Sequence, residues 1–384
     1  MDWSLFCSQC SKTDDASGLK SVCPDCGAPW LVRYDRTVTA AQRTMTGVRG
    51  HGMWRYREFL PLAGNEEAVS LGEGGTALLK APRLAARIGL SHLWVKDEAA
   101  NPTGSFKARG LSAAVTRATL AGARVFTLPT AGNAGVAAAA YGARAGVKVR
   151  VYAPNSTPTP LLAQMAAYGA EVITIDGHIG DCGKLSREFA AKTQAFDLST
   201  LREPYRIEGK KTLGLEIAEQ LGWRLPRVII YPAGGGTGLI GMWIAFRQLL
   251  EAGWVQGRMP RLFAVQSTGC APVVAALEKG SDKTEPWPDP WTVASGLRVP
   301  GPLGGPLMLR AIRDTQGGAV AVTDDTLTAA SHLLSSLEGV DACPEGGAAV
   351  AAAQWLVERG RIAGDEEVVV FNTGAGVLYG RTFP

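Results

Sequence analysis

The sequence predicts an α/β fold of parallel sheets covered by helices on both faces, preceded by a small cysteine-rich ribbon. Three observations carry that expectation. Short β-rich runs alternate with helical ones from about residue 92 onward, a glycine-rich turn joins a strongly apolar strand to a helix, and four cysteines crowd into the first 26 residues. In order, HLWVK (92–96) leads into a turn and the helix after Lys107. RVFTLP (124–129) leads into the Ala-rich segment 134–146, KVRVYAP (148–154) into a helix near 160–168, and EVITID (171–176) into one near 180–194. A helix near 209–221 precedes RVIIYP (227–232), whose own helix begins near Thr237; RLFAVQ (261–266) and EEVVVF (366–371) close the series. Strands alternating with helices make βαβ units and hence parallel sheets. Residues 37–70 are mixed, WPDPW (287–291) is a loop, and no 20–50-residue period indicates a solenoid.

At 384 residues the chain suits two or three domains. Its net charge of +4 comes from 39 basic and 35 acidic residues spread along the chain. Without a basic block, nucleic acid is not an expected partner. The longest apolar runs are short and broken by Gly, Pro or charge, which argues against a membrane span. Asp2 and an early cysteine pair stand where a signal peptide would place its basic and apolar regions, so the expected compartment is the cytoplasm.

Cys7, Cys10, Cys23 and Cys26 read C-x2-C-x12-C-x2-C. Two close pairs of thiolates supply four soft ligands at the corners of a tetrahedron, which suits a structural zinc ion. Two disulfides are the alternative, and they require an oxidising compartment. With Cys at all four positions the site is closed and stabilising, and a ribbon of residues 1–36 could hardly bury a core without metal. Cys182, Cys270 and Cys343 are scattered; with no His within a few positions, Cys343 reads as a packed small residue rather than a nucleophile. The four histidines form no ligand spacing.

YPAGGGTGLIG (231–241) follows an apolar strand and opens a helix. Consecutive glycines let N–H groups converge on an anion, and the helix N-terminus adds partial positive charge, so a phosphate site is expected. Gly236, Gly238 and Gly241 also satisfy a dinucleotide fingerprint, but the next strand ends in Gln266 and Ser267 rather than an acid. A tight turn without a ligand is the third reading.

NPTGSFKARG (101–110) holds Lys107 directly after a turn and an aromatic. A solvated surface lysine is the plain alternative to a reagent. An amine that attacks a carbonyl must be unprotonated part of the time, and both enclosure and a helix start disfavour the ammonium form. Together with a phosphate cradle, Lys107 suggests a phosphorylated aldehyde cofactor.

Six motifs in order resemble the tryptophan-synthase-β-like (fold type II) pyridoxal-phosphate enzymes, and within them the threonine synthases, from about residue 70 onward. They are LGEGGTALL (71–79), NPTGSFKARG (101–110), TAGNAG (130–135), AGGGTG (233–238), CPEGGAA (343–349) and NTGAG (372–376); the zinc-ribbon prefix is also seen in some threonine synthases. The resemblance implies two doubly wound domains. The large one, residues 37–118 and 200–384, would bind pyridoxal 5'-phosphate, and 119–199 would form a small mobile domain. It implies that Lys107 carries the cofactor and acts as general base, and that Asn133 reaches its phenolic oxygen. Gly234, Gly235, Gly236, Thr237 and Gly238 would hold the phosphate, and Thr373 would partner the pyridine nitrogen. Ser105, Thr130 and Arg206 would touch an amino-acid substrate, and a homodimer is expected.

The implied reaction turns O-phosphohomoserine and water into threonine and phosphate by γ-elimination and β-addition of water. The alternative is a β-eliminating or β-replacing enzyme on serine, threonine or an O-activated relative. Ala108, Ala131, Ala134, Leu161 and Glu203 depart from the family pattern and bear on substrate rather than fold. Glu345 reads equally as a cofactor-tuning acid or as an acid in the first turn of a helix.

Overall fold

A computed structural model describes residues 2–379. The N-terminal segment forms β1 (Trp3–Cys7), β2 (Thr13–Asp14) and β3 (Trp30–Tyr34), an antiparallel sheet in the order β2-β1-β3. Trp3, Leu5, Trp30 and Val32 close a small core there together with Tyr205. Next come α1 (Met45–Val48), β4 (Leu78–Lys80), α2 (Pro82–Ile88), β5 (His92–Asp97) and α3 (Lys107–Leu120). Strict alternation follows: β6 (Val125–Pro129), α4 (Asn133–Ala145), β7 (Lys148–Pro154), α5 (Thr159–Ala167), β8 (Glu171–Ile175), α6 (Ile179–Thr193) and β9 (Phe196–Asp197). After α7 (Arg206–Gln220) the chain runs through β10 (Val228–Pro232), α8 (Thr237–Glu251), β11 (Arg261–Ser267), α9 (Pro272–Glu278) and α10 (Gly305–Asp314). It closes with β12 (Gly318–Val322), α11 (Asp324–Glu338), α12 (Pro344–Glu358) and β13 (Glu367–Asn372).

The described residues group into two compact units. The first comprises residues up to Gly75, Asn101–Thr103 and Lys107–Thr212. It holds the ribbon and a parallel sheet in the order β8-β7-β6-β9. The second comprises Thr76–Ala100, Gly104–Phe106 and the residues from Leu213 onward. Its sheet runs β12-β11-β10-β13-β5-β4, parallel except for the edge strand β4. Central β10, VIIYP, is buried at every position, because a strand covered on both faces has no polar side to show.

The division read from sequence set 119–199 apart from 37–118 and 200–384. By contacts alone, 37–75, 107–118 and 200–212 group with the sheet of 125–197. The physical reason is helix packing: α3 lies along α4 and crosses the start of α7. The strand alternation legible in the sequence skips β12, whose GAVAV is more than half Gly and Ala, residues of weak β preference. No helix among the described residues is long and apolar enough to cross a membrane.

Candidate active site

In the second unit, two of the motif loops leave the carboxyl ends of neighbouring parallel strands. The glycine loop follows β10, Thr373 follows β13, and these strands pair with Ile230 opposite Val370. Carboxyl edges are where open α/β sheets bind ligands. Gly236 caps α8 in the left-handed region at φ 79°, and a Cβ there would overlap the Met308 sulfur. A Cβ on Gly234 would overlap the Gly296 carbonyl. The loop is therefore packed closely against its own unit, with little room for side chains at Gly234 and Gly236. The N–H groups of residues 234–238 find no acceptor among the described residues, although the loop is largely buried. Five such donors at a helix N-terminus favour an anion.

Thr373 is buried, its carbonyl accepts the Phe106 N–H at 3.0 Å, and its hydroxyl lies 3.7 Å from the Cys343 sulfur. Cys343 is the N-cap of α12, its sulfur accepting the Gly346 N–H at 3.3 Å. Burial pushes its thiol far above the usual range, with Glu345 adding to the shift, so it packs as a neutral S–H. Ser105 forms an isolated β-bridge to Gly374 and is fully buried, yet its hydroxyl has no partner. Glu345 takes the Gly296 N–H on Oε1 at 2.7 Å, while its buried Oε2 has none. A buried polar atom left unpaired costs about 1–3 kcal/mol, so these orphans fit a site completed by a polar ligand.

The first unit carries the other candidates. Lys107 is the first residue of α3 and half-buried. Asn133 opens α4 just after Gly132, whose φ of 141° and ψ of −106° suit glycine alone. The Thr130 hydroxyl accepts the N–H groups of Gly132 at 3.1 Å and Gly135 at 2.9 Å, which shapes that loop. Leu161, fully buried, reaches within 2.6 Å of where a Gly132 Cβ would stand. Arg206 is buried and donates from Nη1 to the Leu198 carbonyl at 2.8 Å, while its Nε has no partner. Glu203 accepts the Tyr205 N–H at 2.7 Å and the Arg206 N–H at 3.1 Å, so it terminates the start of α7. Burial pushes its carboxyl up to about 7, against the pull of Arg206 and the two N–H groups.

Sequence reasoning missed two buried networks. Glu73, fully buried, accepts from Trp54 Nε1 at 2.9 Å, the Ser112 hydroxyl at 2.5 Å and the Tyr141 hydroxyl at 2.5 Å. In the second unit, Lys96 Nζ lies 2.9 Å from Glu216 and donates to the Thr76 carbonyl at 2.8 Å, with both charged side chains fully buried. The available signal was an acid between two glycines in LGEGG and a lysine inside an otherwise apolar strand.

In the ribbon, the four sulfurs of Cys7, Cys10, Cys23 and Cys26 lie within 4.8 Å of one another. Cys7 and Cys26 are 3.4 Å apart, and Cys10 and Cys23 3.6 Å. The N–H groups of Gln9 and Cys10 point at the Cys7 sulfur from 3.4 and 3.5 Å. Burial pushes the Cys7 thiol up, but these N–H groups outweigh it and bring it to about 7. Four converging sulfurs with backbone N–H support fit a tetrahedral soft cation.

Comparison with known proteins agrees with this chemistry. A family model described as pyridoxal-phosphate dependent enzyme matches residues 69–374. The chain is 34% identical to a threonine synthase of Methanocaldococcus jannaschii over 374 residues, covering 97% of this chain and 92% of that one. It is 36% identical to a threonine synthase of Mycobacterium leprae over 323 residues, covering 84% and 87%. Among solved structures, maize serine racemase matches with a TM-score of 0.68 at 22% identity, over 78% of this chain and 88% of that one. A fungal L-serine ammonia-lyase from Rhizomucor miehei also matches at 0.68 and 22% identity, over 80% and 95%.

Proposed function

We propose, from the premise that this chain belongs to the pyridoxal-phosphate-dependent enzymes, that it is a lyase of the threonine synthase type. On this reading O-phosphohomoserine and water become threonine and phosphate, by loss of phosphate from Cγ and addition of water at Cβ. When bound, pyridoxal phosphate supplies an electron sink that makes the Cα proton removable. The observation that carries the reading is the run of buried, acceptor-free N–H groups at 234–238, beside Thr373 on the same sheet edge. Gly234, Gly235, Gly236, Thr237 and Gly238 would grip the phosphate. The Thr373 hydroxyl would hold the pyridine nitrogen without protonating it, and Asn133 would fix the ring oxygen. The Lys107 amine would carry the cofactor and then take the Cα proton. Ser105, with its orphan hydroxyl, and Thr130 would orient the substrate.

A second reading, a β-eliminating or β-replacing enzyme on serine, threonine or an O-activated relative, is favoured by two specific observations. Arg206, expected to meet the substrate, donates to the Leu198 carbonyl, and Leu161 sets an apolar side chain against the Asn133 loop. A substrate panel separates the two. Threonine and inorganic phosphate formed from O-phosphohomoserine support the first, whereas ketoacid released from serine or threonine with no turnover of the phosphorylated substrate supports the second. A zinc ion held by the four ribbon cysteines, a cytoplasmic homodimer and a small mobile domain at 119–199 complete the proposal. Metal analysis, sedimentation and hydrogen exchange would test them.

A further inference from the structure

The ribbon rests on the two helices that matter most for the lysine. On one side, the hydroxyl of Tyr34, at the end of β3, donates to Glu208 on α7. Glu208 also pairs with Lys211 at 2.6 Å, and Lys211 Nζ lies 4.5 Å from the centre of the Tyr34 ring. Glu208 and Lys211 are both removed from solvent. On the other side, Arg117 of α3 stacks its guanidinium 4.8 Å over the Trp3 ring and pairs with Glu66 at 2.6 Å. Tyr205, one residue before α7, belongs to the ribbon core. At Gly209 the two helices meet backbone to backbone, while the Lys210 side chain lies against Gly110. A Cβ on Gly209 would overlap the Arg109 carbonyl, and one on Gly110 would stand 3.0 Å from the Arg206 carbonyl. Arg109 is two residues from Lys107, and its Nη1 donates to the Thr212 hydroxyl at 3.0 Å.

We propose that the ribbon is a positioning element for the reactive lysine: Tyr34 through Glu208, and Trp3 through Arg117, fix the crossing of α7 with α3, so metal occupancy at the four cysteines sets the placement of Lys107. The inference rests on the assignment of Lys107 given above. Its physical basis is the absence of slack. Backbone-to-backbone contact at Gly209 transmits a displacement of α7 directly to α3, where a layer of side chains would absorb it. Tyr34 never touches substrate or cofactor in this account and acts only through α7.

The experiment uses the full-length protein in three forms, followed for exchange with cofactor bound and for capture after the cofactor has been stripped: zinc-replete, chelator-treated, and Tyr34→Phe with its zinc intact. Hydrogen exchange is followed by mass spectrometry on peptides spanning 107–112 and 206–212. The rate at which added pyridoxal phosphate becomes fixed to Lys107 is read by borohydride capture. Chelation and Tyr34→Phe are each expected to speed exchange of both peptides and slow capture, by roughly tenfold for the loss of a hydrogen bond to a charged group. Val32→Ala loosens the ribbon core but keeps the Tyr34 hydroxyl. It should lower the melting temperature while leaving exchange at 107–112 and the capture rate unchanged. Exchange that rises only within residues 2–34 after zinc removal would overturn the proposal. A wild-type protein with no capture at Lys107 would instead refute the lysine assignment, and the exchange data would still report whether the ribbon fixes the helix crossing.

Discussion

The carboxyl edge of the six-stranded sheet and the helix faces beneath the ribbon are built on opposite principles. At the sheet edge, polar groups are left over: five N–H donors, the Ser105 hydroxyl and one oxygen of Glu345. Beneath the ribbon the carboxylates are paired: Glu208 meets Tyr34 and Lys211, Glu66 meets Arg117, and Glu203 accepts the Tyr205 and Arg206 N–H groups, although Trp3 Nε1 and Arg206 Nε find no partner. Unpaired buried groups are tolerated where a ligand will complete them, whereas paired ones rigidify a support. The difference separates a surface made to receive something from one made to hold still.

Substitutions can break or sharpen that contrast. The largest effect belongs to Lys107→Ala, which should cut steady-state turnover by roughly a thousandfold or more, since the general base is lost. Next, Lys211→Met leaves Glu208 buried beside a phenol alone, and chemical denaturation should show a loss of about 3 kcal/mol. A neutral outcome there would mean that the support is not electrostatic.

Glu203 gives a pH signature. Its folded value, about 7, lies above the ordinary carboxylate range, so the fold favours the protonated form. That contribution is present in full below about pH 4.3 and is lost as pH rises through about 7. Relative to Glu203→Gln, the wild type should therefore lose stability between pH 5 and pH 8, by on the order of 3 kcal/mol at most. Parallel stability curves for the two proteins would contradict this account of α7.

Smaller effects test the sheet edge. Gly234→Ala should lower stability by about 1–3 kcal/mol through overlap with Gly296 and weaken cofactor binding in an absorbance titration. Cys343→Ser keeps an acceptor at the N-cap of α12 and should change thermal stability by less than about 1 kcal/mol. A large loss would make the sulfur contact to Thr373 more than packing.

The same contrast governs what the sequence reveals. The glycine loop, the Asn133 turn and the lysine at a helix start are local patterns, set by backbone geometry within a few residues. They read directly, as does the alternation of strands and helices. Tyr34 with Glu208, Glu73 with Tyr141, and Lys96 with Glu216 join residues far apart in the chain, and spacing carries no trace of such pairs. What Arg206 and Glu203 do depends on which backbone groups they face, Leu198 for one and the start of α7 for the other.

Reductive capture decides whether Lys107 is the residue that binds pyridoxal phosphate. Purified protein is incubated with pyridoxal phosphate, reduced with borohydride, digested and mapped by mass spectrometry. A single pyridoxyl-phosphate addition is expected on the peptide containing Lys107, absent from Lys107→Ala and diminished in Gly234→Ala. Label spread over surface lysines, with Lys107 unmodified, would contradict it.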